Sequence, residues 1–245
     1  MKTAIHYGSG NIGRGFIAPL LIDSGFAVTF IDTNQVIIDA INDSKSYTVE
    51  LLNSSHDQQI INGVTGLHSS QTADVLNHLS SADVITFSIG KDNLKFVVND
   101  LVASIKLRIT NNSTTSLNMI ACENGIRVSS FLADLVAAEL SAAENAYVKQ
   151  YIGFVDVAVD RIVPEQHHAD PLFVQVEPYF ELALDAAQIN GSLTIEQSKV
   201  VTNLDFYNKR KLLTVNTGHT ICAILGREKG YRYISESIKS ESIKA

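Results

Sequence analysis

"HYGSGNIGRG", residues 6–15, sets Gly8, Gly10 and Gly13 in the spacing G-x-G-x-x-G. The residues before it, "TAIHY" (3–7), read as a buried strand. Residues 11–24 after it read as a helix with Ile12, Phe16, Leu20 and Ile22 apolar. In this context the first glycine permits a tight turn, the second lets backbone approach a pyrophosphate, and the third lets helix and strand pack closely. The helix start offers unpaired N–H groups and the positive end of its dipole to the phosphates. A second apolar strand, "AVTFID" (27–32), ends on Asp32, nineteen residues beyond Gly13. A carboxylate there accepts from the adenosine ribose hydroxyls and repels a 2′-phosphate, which favours NAD over NADP. The expected cofactor-binding set is therefore Gly8, Ser9, Gly10, Asn11, Ile12, Gly13 and Asp32. Arg14 stays open between reaching a phosphate and facing solvent. Pro19 lacks an N–H for the carbonyl of Gly15, which predicts a kink in the first helix.

Working outward, "NQVIIDAIND" (34–43) reads as a helix. "YTVELL" (47–52) and "QQIINGV" (58–64) read as a hairpin turned by "NSSHD". "DVITFSIG" (83–90) and "LNMIAC" (117–122) read as buried strands, and "GIRVSSFLADLVAAELSAAE" (125–144) as one long helix. "QYIGFVDVAVDRIV" (150–163) and "LFVQVEP" (172–178) are strand-like, and the pattern turns helical from about residue 196. Strands alternating with helices imply a parallel sheet covered on both faces. The expected fold class is α/β: a Rossmann-type doubly wound sheet with extra strands, followed by the start of a mostly helical domain. The expected domains are 1–190 for NAD binding and 191–245 for the helical part, divided near "INGSL" (189–193).

Composition narrows the function. The chain has 245 residues, 45% of them apolar and 18% charged, and a net charge of −7. So acidic a chain, with no long basic run, is not expected to bind nucleic acid. No apolar run reaches the length of a membrane span, and "MKTAIHY" is too short and mixed for a signal peptide. A cytoplasmic location is expected. Cys122 and Cys222 stand a hundred residues apart in apolar stretches and match no zinc spacing. They read as buried, reduced thiols, and no metal site is expected.

Three stretches carry candidate chemistry. "ACENG" (121–125) follows a strand, so Glu123 and Asn124 fall at the carboxyl edge of the sheet, where ligands bind. "FVDVAVDRIVP" (154–164) sets Asp156 and Asp160 in an apolar run, and "KRKLLTVNTGH" (209–219) carries Lys211, Asn216 and His219. At about 100° per residue, Asn216 lies about 140° and His219 about 80° around the helix from Lys211, so all three can face one cleft. An ordinary amphipathic helix with a satisfied histidine fits the same periodicity. His167 and His168 are adjacent, point apart and read as loop residues.

Together, "GSGNIGRGF", "ACEN", "AVDRIVP" and "KRKLLTVNTGH" resemble the polyol-specific long-chain dehydrogenases over essentially the whole chain. The K-x4-N-x2-H pattern is the most specific mark. A glycine loop this close to residue 1 fits the branch acting on a phosphorylated sugar alcohol better than the mannitol 2-dehydrogenase branch. The resemblance implies NAD-dependent interconversion of D-mannitol 1-phosphate and D-fructose 6-phosphate without a catalytic metal. The small-molecule partner is then a sugar phosphate. The resemblance makes Lys211 the general acid/base, Asn216 a donor to the reacting oxygen and His219 a partner of a substrate hydroxyl. Asp156 stands where the mannitol 2-dehydrogenase branch has an asparagine. An ionised carboxylate cannot donate there, so Asp156 is protonated, turned away or holding Lys211. Family members are longer, so this chain is expected to lack much of the helical domain. NAD binding without catalysis, and a sibling hexuronate reductase, are the alternatives.

Overall fold

The strand at Lys2–Tyr7 (β1) sends Ala4 and His6 to one face and Ile5 and Tyr7 to the other, and all four are buried. A strand buried on both faces needs a covering layer on each, and two core clusters supply them. The structure, a computed structural model, describes residues 2–164 and 166–244.

β1 pairs in parallel with β2 (Phe26–Asp32) on one side. β3 (Ser46–Leu51) and β4 (Gln58–Asn62) form the expected antiparallel hairpin. β5 (Thr65–His68), β6 (Val84–Phe87), β7 (Leu117–Ala121) and β8 (Ile152–Phe154) complete a six-stranded sheet of order β5-β2-β1-β6-β7-β8. The order reverses at β1, which opens a crevice at the carboxyl ends of β1 and β6. The fold is therefore the α/β, doubly wound, Rossmann-like arrangement, followed by a helical region. A second sheet joins β10 (Val174–Val176) to the hairpin, and a third joins β9 (Val157–Asp160), β11 (Glu181–Asp185) and β12 (Lys199–Val201).

The first helix starts with a π-turn, Gly13–Ile17, and continues as α1 (Ala18–Asp23). Pro19 falls in the first turn of α1, where its missing N–H costs least. The Gly15 carbonyl accepts instead from Arg161 Nη1 at 3.1 Å. α2 (Gln35–Ser44) is capped by the Asn34 side chain. α3 (Thr72–Ser81), α4 (Val98–Thr110), α5 (Val128–Ala138) and α6 (Ala142–Tyr151) follow.

Several expectations change. The long helix over 125–144 is two helices. Ser141 starts α6 with a reciprocal capping box: its hydroxyl accepts from Glu144 N, and Glu144 accepts from Ser141 N. The S-x-x-E signal was present in the sequence. The strand-like run over 150–163 bends after Phe154, so β8 joins the main sheet and β9 the third. Residues 199–201 pair with β11 as a strand, and helix begins only at Leu204. β5, α3, α4 and β11 lie in stretches the pattern left unassigned. Gly66 explains part of this, since a Cβ there would come within 2.9 Å of Ile38. Cys122 is buried, but Cys222 is partly exposed, and neither forms a disulfide. No helix of the described residues is long and apolar enough to cross a membrane.

The chain divides into Met1–Thr202 and Asn203–Ala245. In the second unit Asn203 caps α7 (Leu204–Lys211), and a π-turn, Leu212–Asn216, leads into α8 (Thr217–Glu228). The short α9 (Ile234–Ser237) and α10 (Glu241–Lys244) close it. Ser237 packs so tightly on Gly226 that any Cβ there would overlap its hydroxyl.

Candidate functional site

Gly8 leaves β1 with φ +101°, a backbone conformation that L side chains rarely adopt, and its N–H donates to Ile31 O at 2.9 Å. A Cβ at Gly13 would stand 2.1 Å from Gly8 O, so helix and turn touch backbone to backbone. A Cβ at Gly10 would meet nothing within 4 Å. The loop is thus closed beneath Gly13 and open above Gly10, the shape a pyrophosphate needs. Ile12 packs against the core, and Asn11 Oδ1 accepts from Arg14 Nη2.

Asp32 stands at the end of β2 beside this opening. Ser9 donates to its Oδ2 through backbone N–H and hydroxyl, at 2.5 and 2.7 Å, and Asn34 N donates to Oδ1 at 2.9 Å. Burial raises the Asp32 pKa, but the bonds from Ser9, Asn34 and Thr33 outweigh it and hold the carboxyl below its ordinary range. An ionised, acceptor-only group faces the cleft. That group suits a vicinal diol and opposes a phosphate.

The floor is His6, fully buried. Its Nδ1 meets the Thr86 hydroxyl at 2.6 Å and its Nε2 the Ser88 hydroxyl at 2.8 Å. Burial pushes its pKa down to about 3, against the pull of Asp32, so the ring is neutral. On the β6 side, Glu123 Oε1 accepts from Ile89 N and Gly90 N at 2.8 and 2.7 Å. Its pKa is raised by burial despite those bonds. Glu123 thereby shapes the loop after β6, and Asn124 beside it is exposed. A cleft of about 520 Å³ runs between these loops, lined by Gly8, Gly10, Asp32, Ser88, Phe96 and Val97 among others. Phe96 and Ser88 were missed in the sequence. The signal available was a polar, glycine-punctuated loop after a buried strand.

Arg14 does not face solvent; it is bound back onto the glycine loop itself. It is 4% exposed and donates to Ser9 O and, at 3.1 Å, to Pro171 O. Arg161 behaves alike, donating to Gly15 O and Glu177 O between the rings of Phe16 and Phe180. Asp156 is 3% exposed. It accepts from Ser130 N at 2.9 Å, from the Ser130 hydroxyl, and from Gln188 Nε2 at 3.1 Å. Its carboxylate holds the start of α5 and the turn at Gln188. Asp160 lies on β9.

In the second unit, Lys211, Val215, Asn216 and His219 are partly buried, while Leu212, Leu213, Thr217 and Gly218 are exposed. The π-turn lies between Lys211 and His219, so angles counted at a uniform α-helical step do not describe them. Hydroxyls of Thr214, Thr217 and Thr220 donate to the carbonyls of Arg210, Leu212 and Asn216 and serve acceptors in this widened stretch. Among the described residues, no group of three or more His, Cys, Asp or Glu is placed to hold a metal ion.

A family model of the mannitol dehydrogenase Rossmann domain matches residues 2–197, and one of the mannitol dehydrogenase C-terminal domain matches residues 203–245. The mannitol-1-phosphate 5-dehydrogenase of Lactococcus lactis subsp. cremoris (strain MG1363) is 40% identical over 245 residues, covering 99% of this chain and 63% of that protein. The enzyme of the same name from Enterococcus faecalis (strain ATCC 700802 / V583) is 43% identical over 245 residues, with the same coverage of 99% and 63%. The chain thus spans 63% of the length of these curated relatives. Among solved structures, a candidate 2-dehydropantoate 2-reductase from Enterococcus faecalis aligns with TM-score 0.55 at 18% identity, covering 97% of this chain and 69% of that one. That likeness is one of fold.

Proposed function

The chain belongs to the mannitol dehydrogenase family, and on that premise we propose that it acts in the NAD-dependent interconversion of D-mannitol 1-phosphate and D-fructose 6-phosphate. Gly8, Ser9, Gly10, Asn11, Ile12 and Gly13 hold the pyrophosphate, and Asp32 the adenosine ribose. Glu123 and Asn124 border the nicotinamide end. NAD, when bound, supplies the hydride acceptor. Lys211 takes the proton of the secondary hydroxyl in oxidation and returns it to the carbonyl oxygen in reduction. Asn216 donates its amide N–H to the same oxygen as charge builds there. His219 bonds a neighbouring substrate hydroxyl. Asp156, the further catalytic candidate, fixes the start of α5 within the first unit. The reading makes the protein a cytoplasmic enzyme of sugar-phosphate metabolism.

One observation carries the proposal. The three K-x4-N-x2-H residues are each partly buried along one continuous helical stretch, in a chain whose other unit holds an Asp32-bordered glycine loop. The test is NADH absorbance in the presence of D-fructose 6-phosphate or D-fructuronate. Oxidation with the phosphate supports the proposal. Oxidation with fructuronate alone makes the protein a hexuronate reductase. Measurable NADH binding without either reaction makes it a binding protein.

A further inference from the structure

Asp32 borders two cavities. The cleft of about 520 Å³ described above lies on one side, with apolar walls from Ile31, Ile89, Phe96 and Val97. On the other side is a polar cavity of about 480 Å³ between the glycine loop, the start of α2 and residues 166–173. Ser9, Arg14, Asn34, His167, His168 and Asp170 are among its lining residues. The dinucleotide reading assigns the ribose to Asp32. A flat base bonded to that ribose fits the apolar cleft, which leaves the polar cavity for the ribose hydroxyls and the adjoining phosphate.

The far wall of the polar cavity comes from a segment more than 150 residues away in sequence, and it is pinned at both ends. Gln166 Nε2 donates to Gln175 O at 2.8 Å, and Gln175 N donates back to Gln166 Oε1 at 2.5 Å. At the other end Arg14 donates to Pro171 O while its second terminal nitrogen holds Ser9 O of the glycine loop. One guanidinium thus ties the phosphate loop to the distant wall. Its Nε–H has no acceptor among the described residues. Between the pins, His168 sits edge-on to Phe173, with ring centres 4.8 Å apart, and bonds Gln166 Oε1 through Nε2. His167 and His168 are both exposed.

We infer that residues 166–173 form the outer wall of the adenosine-ribose site, that His167 and His168 are binding residues for the adenosine half of the dinucleotide, and that Arg14 is the positioning residue that sets their distance from the glycine loop. This rests on the dinucleotide reading and adds to it a set of contacts from outside the glycine-loop unit of strand, turn and helix. Imidazole N–H groups can donate to a ribose hydroxyl or a phosphate oxygen, which Asp32 cannot do.

The experiment compares three ligands on the full chain by equilibrium binding: NADH, 5′-AMP, and reduced nicotinamide mononucleotide, which lacks the adenosine half. The double variant His167→Ala/His168→Ala is expected to weaken NADH and 5′-AMP alike, by about 10-fold, and to leave the mononucleotide within about twofold. Arg14→Met is expected to give the same ligand pattern. Combined with the histidine changes it should add little, because it acts through the same wall. Arg14→Lys should recover part of the loss. Unchanged NADH affinity in the histidine variant overturns the inference, as does equal weakening of all three ligands. Full additivity of Arg14→Met with the histidine changes overturns its positioning role. A wild-type chain that binds none of the three overturns the dinucleotide reading itself, and this inference with it.

Discussion

The glycine loop at residues 8–13 and the helical stretch at 211–219 both carry the chain's most specific motifs, and both run into a π-turn. They are built in different ways. The glycine loop is a backbone device, fixed by a positive φ, by contact between Gly8 and Gly13, and by Ser9 and Arg14 bonding within the same unit. The second stretch is a side-chain device: three chemically distinct, partly buried groups beside exposed Leu212, Leu213, Thr217 and Gly218, its widened turn served by threonine hydroxyls. Substitutions in the first region should therefore act through shape, and those in the second through chemistry.

The sharpest way to break this contrast is Lys211→Met in the full-length protein. It should lower kcat by about 1,000-fold and leave the NADH dissociation constant within about twofold. A comparable loss of NADH binding would erase the division of labour. Next comes a pair of glycine substitutions. Gly13→Ala drives a methyl into Gly8 O and should cost about 3 kcal/mol of stability, read from urea midpoints. Gly10→Ala meets no atom in the free chain. It should leave the midpoint unchanged while weakening NADH by about 10-fold, because its methyl occupies the phosphate's path.

A pH series sharpens the account of the loop's floor. The folded pKa of His6 is depressed from 6.5 to about 3. Its stabilising contribution is therefore complete above pH 6.5 and is lost as pH falls, because the unfolded chain takes up a proton that the folded chain refuses. Between about pH 6.5 and about pH 5 the loss should be about 2 kcal/mol, and His6→Asn should flatten that part of the stability profile. The smallest effect is expected from Thr217→Val. It removes the hydroxyl bond to Leu212 O and should change stability by about 1 kcal/mol or less, with a larger fractional effect on kcat than on NADH affinity.

The same contrast explains what could be read from the sequence. Gly8, Gly10, Gly13 and Asp32 were legible because a tight turn and a close helix approach are local demands that only certain residues meet. Arg14 was not legible, since its partner Pro171 lies 157 residues away and nothing in "GRG" points there. Asp156 was read as a catalytic candidate from its apolar surroundings, but those surroundings cannot show that Ser130 and Gln188 converge on it. The break between α5 and α6 was written in Ser141 and Glu144 and was overridden by the apolar run around it. Both π-turns were invisible, because an extra residue in one turn leaves no trace in a 3.6-residue pattern.

The carbonyl of Gly15 has a consequence for the order in which the molecule forms. Pro19 cannot serve that oxygen, and its donor is Arg161, 146 residues later. Close by, Arg14 waits for Pro171, and Gly15 packs against Val176. A ribosome that has released only the first half of the chain has made the whole glycine motif and Tyr47, whose hydroxyl donates to Arg14 O, but not Arg161, Pro171 or Val176. The earliest synthesised part of the cofactor site thus gains part of its bracing only from the second half of the chain. Closing so long a loop is slow relative to forming a local helix. Until residues 161–176 emerge, the nascent chain carries the motif on a helix without Arg161, Pro171 or Val176 against it.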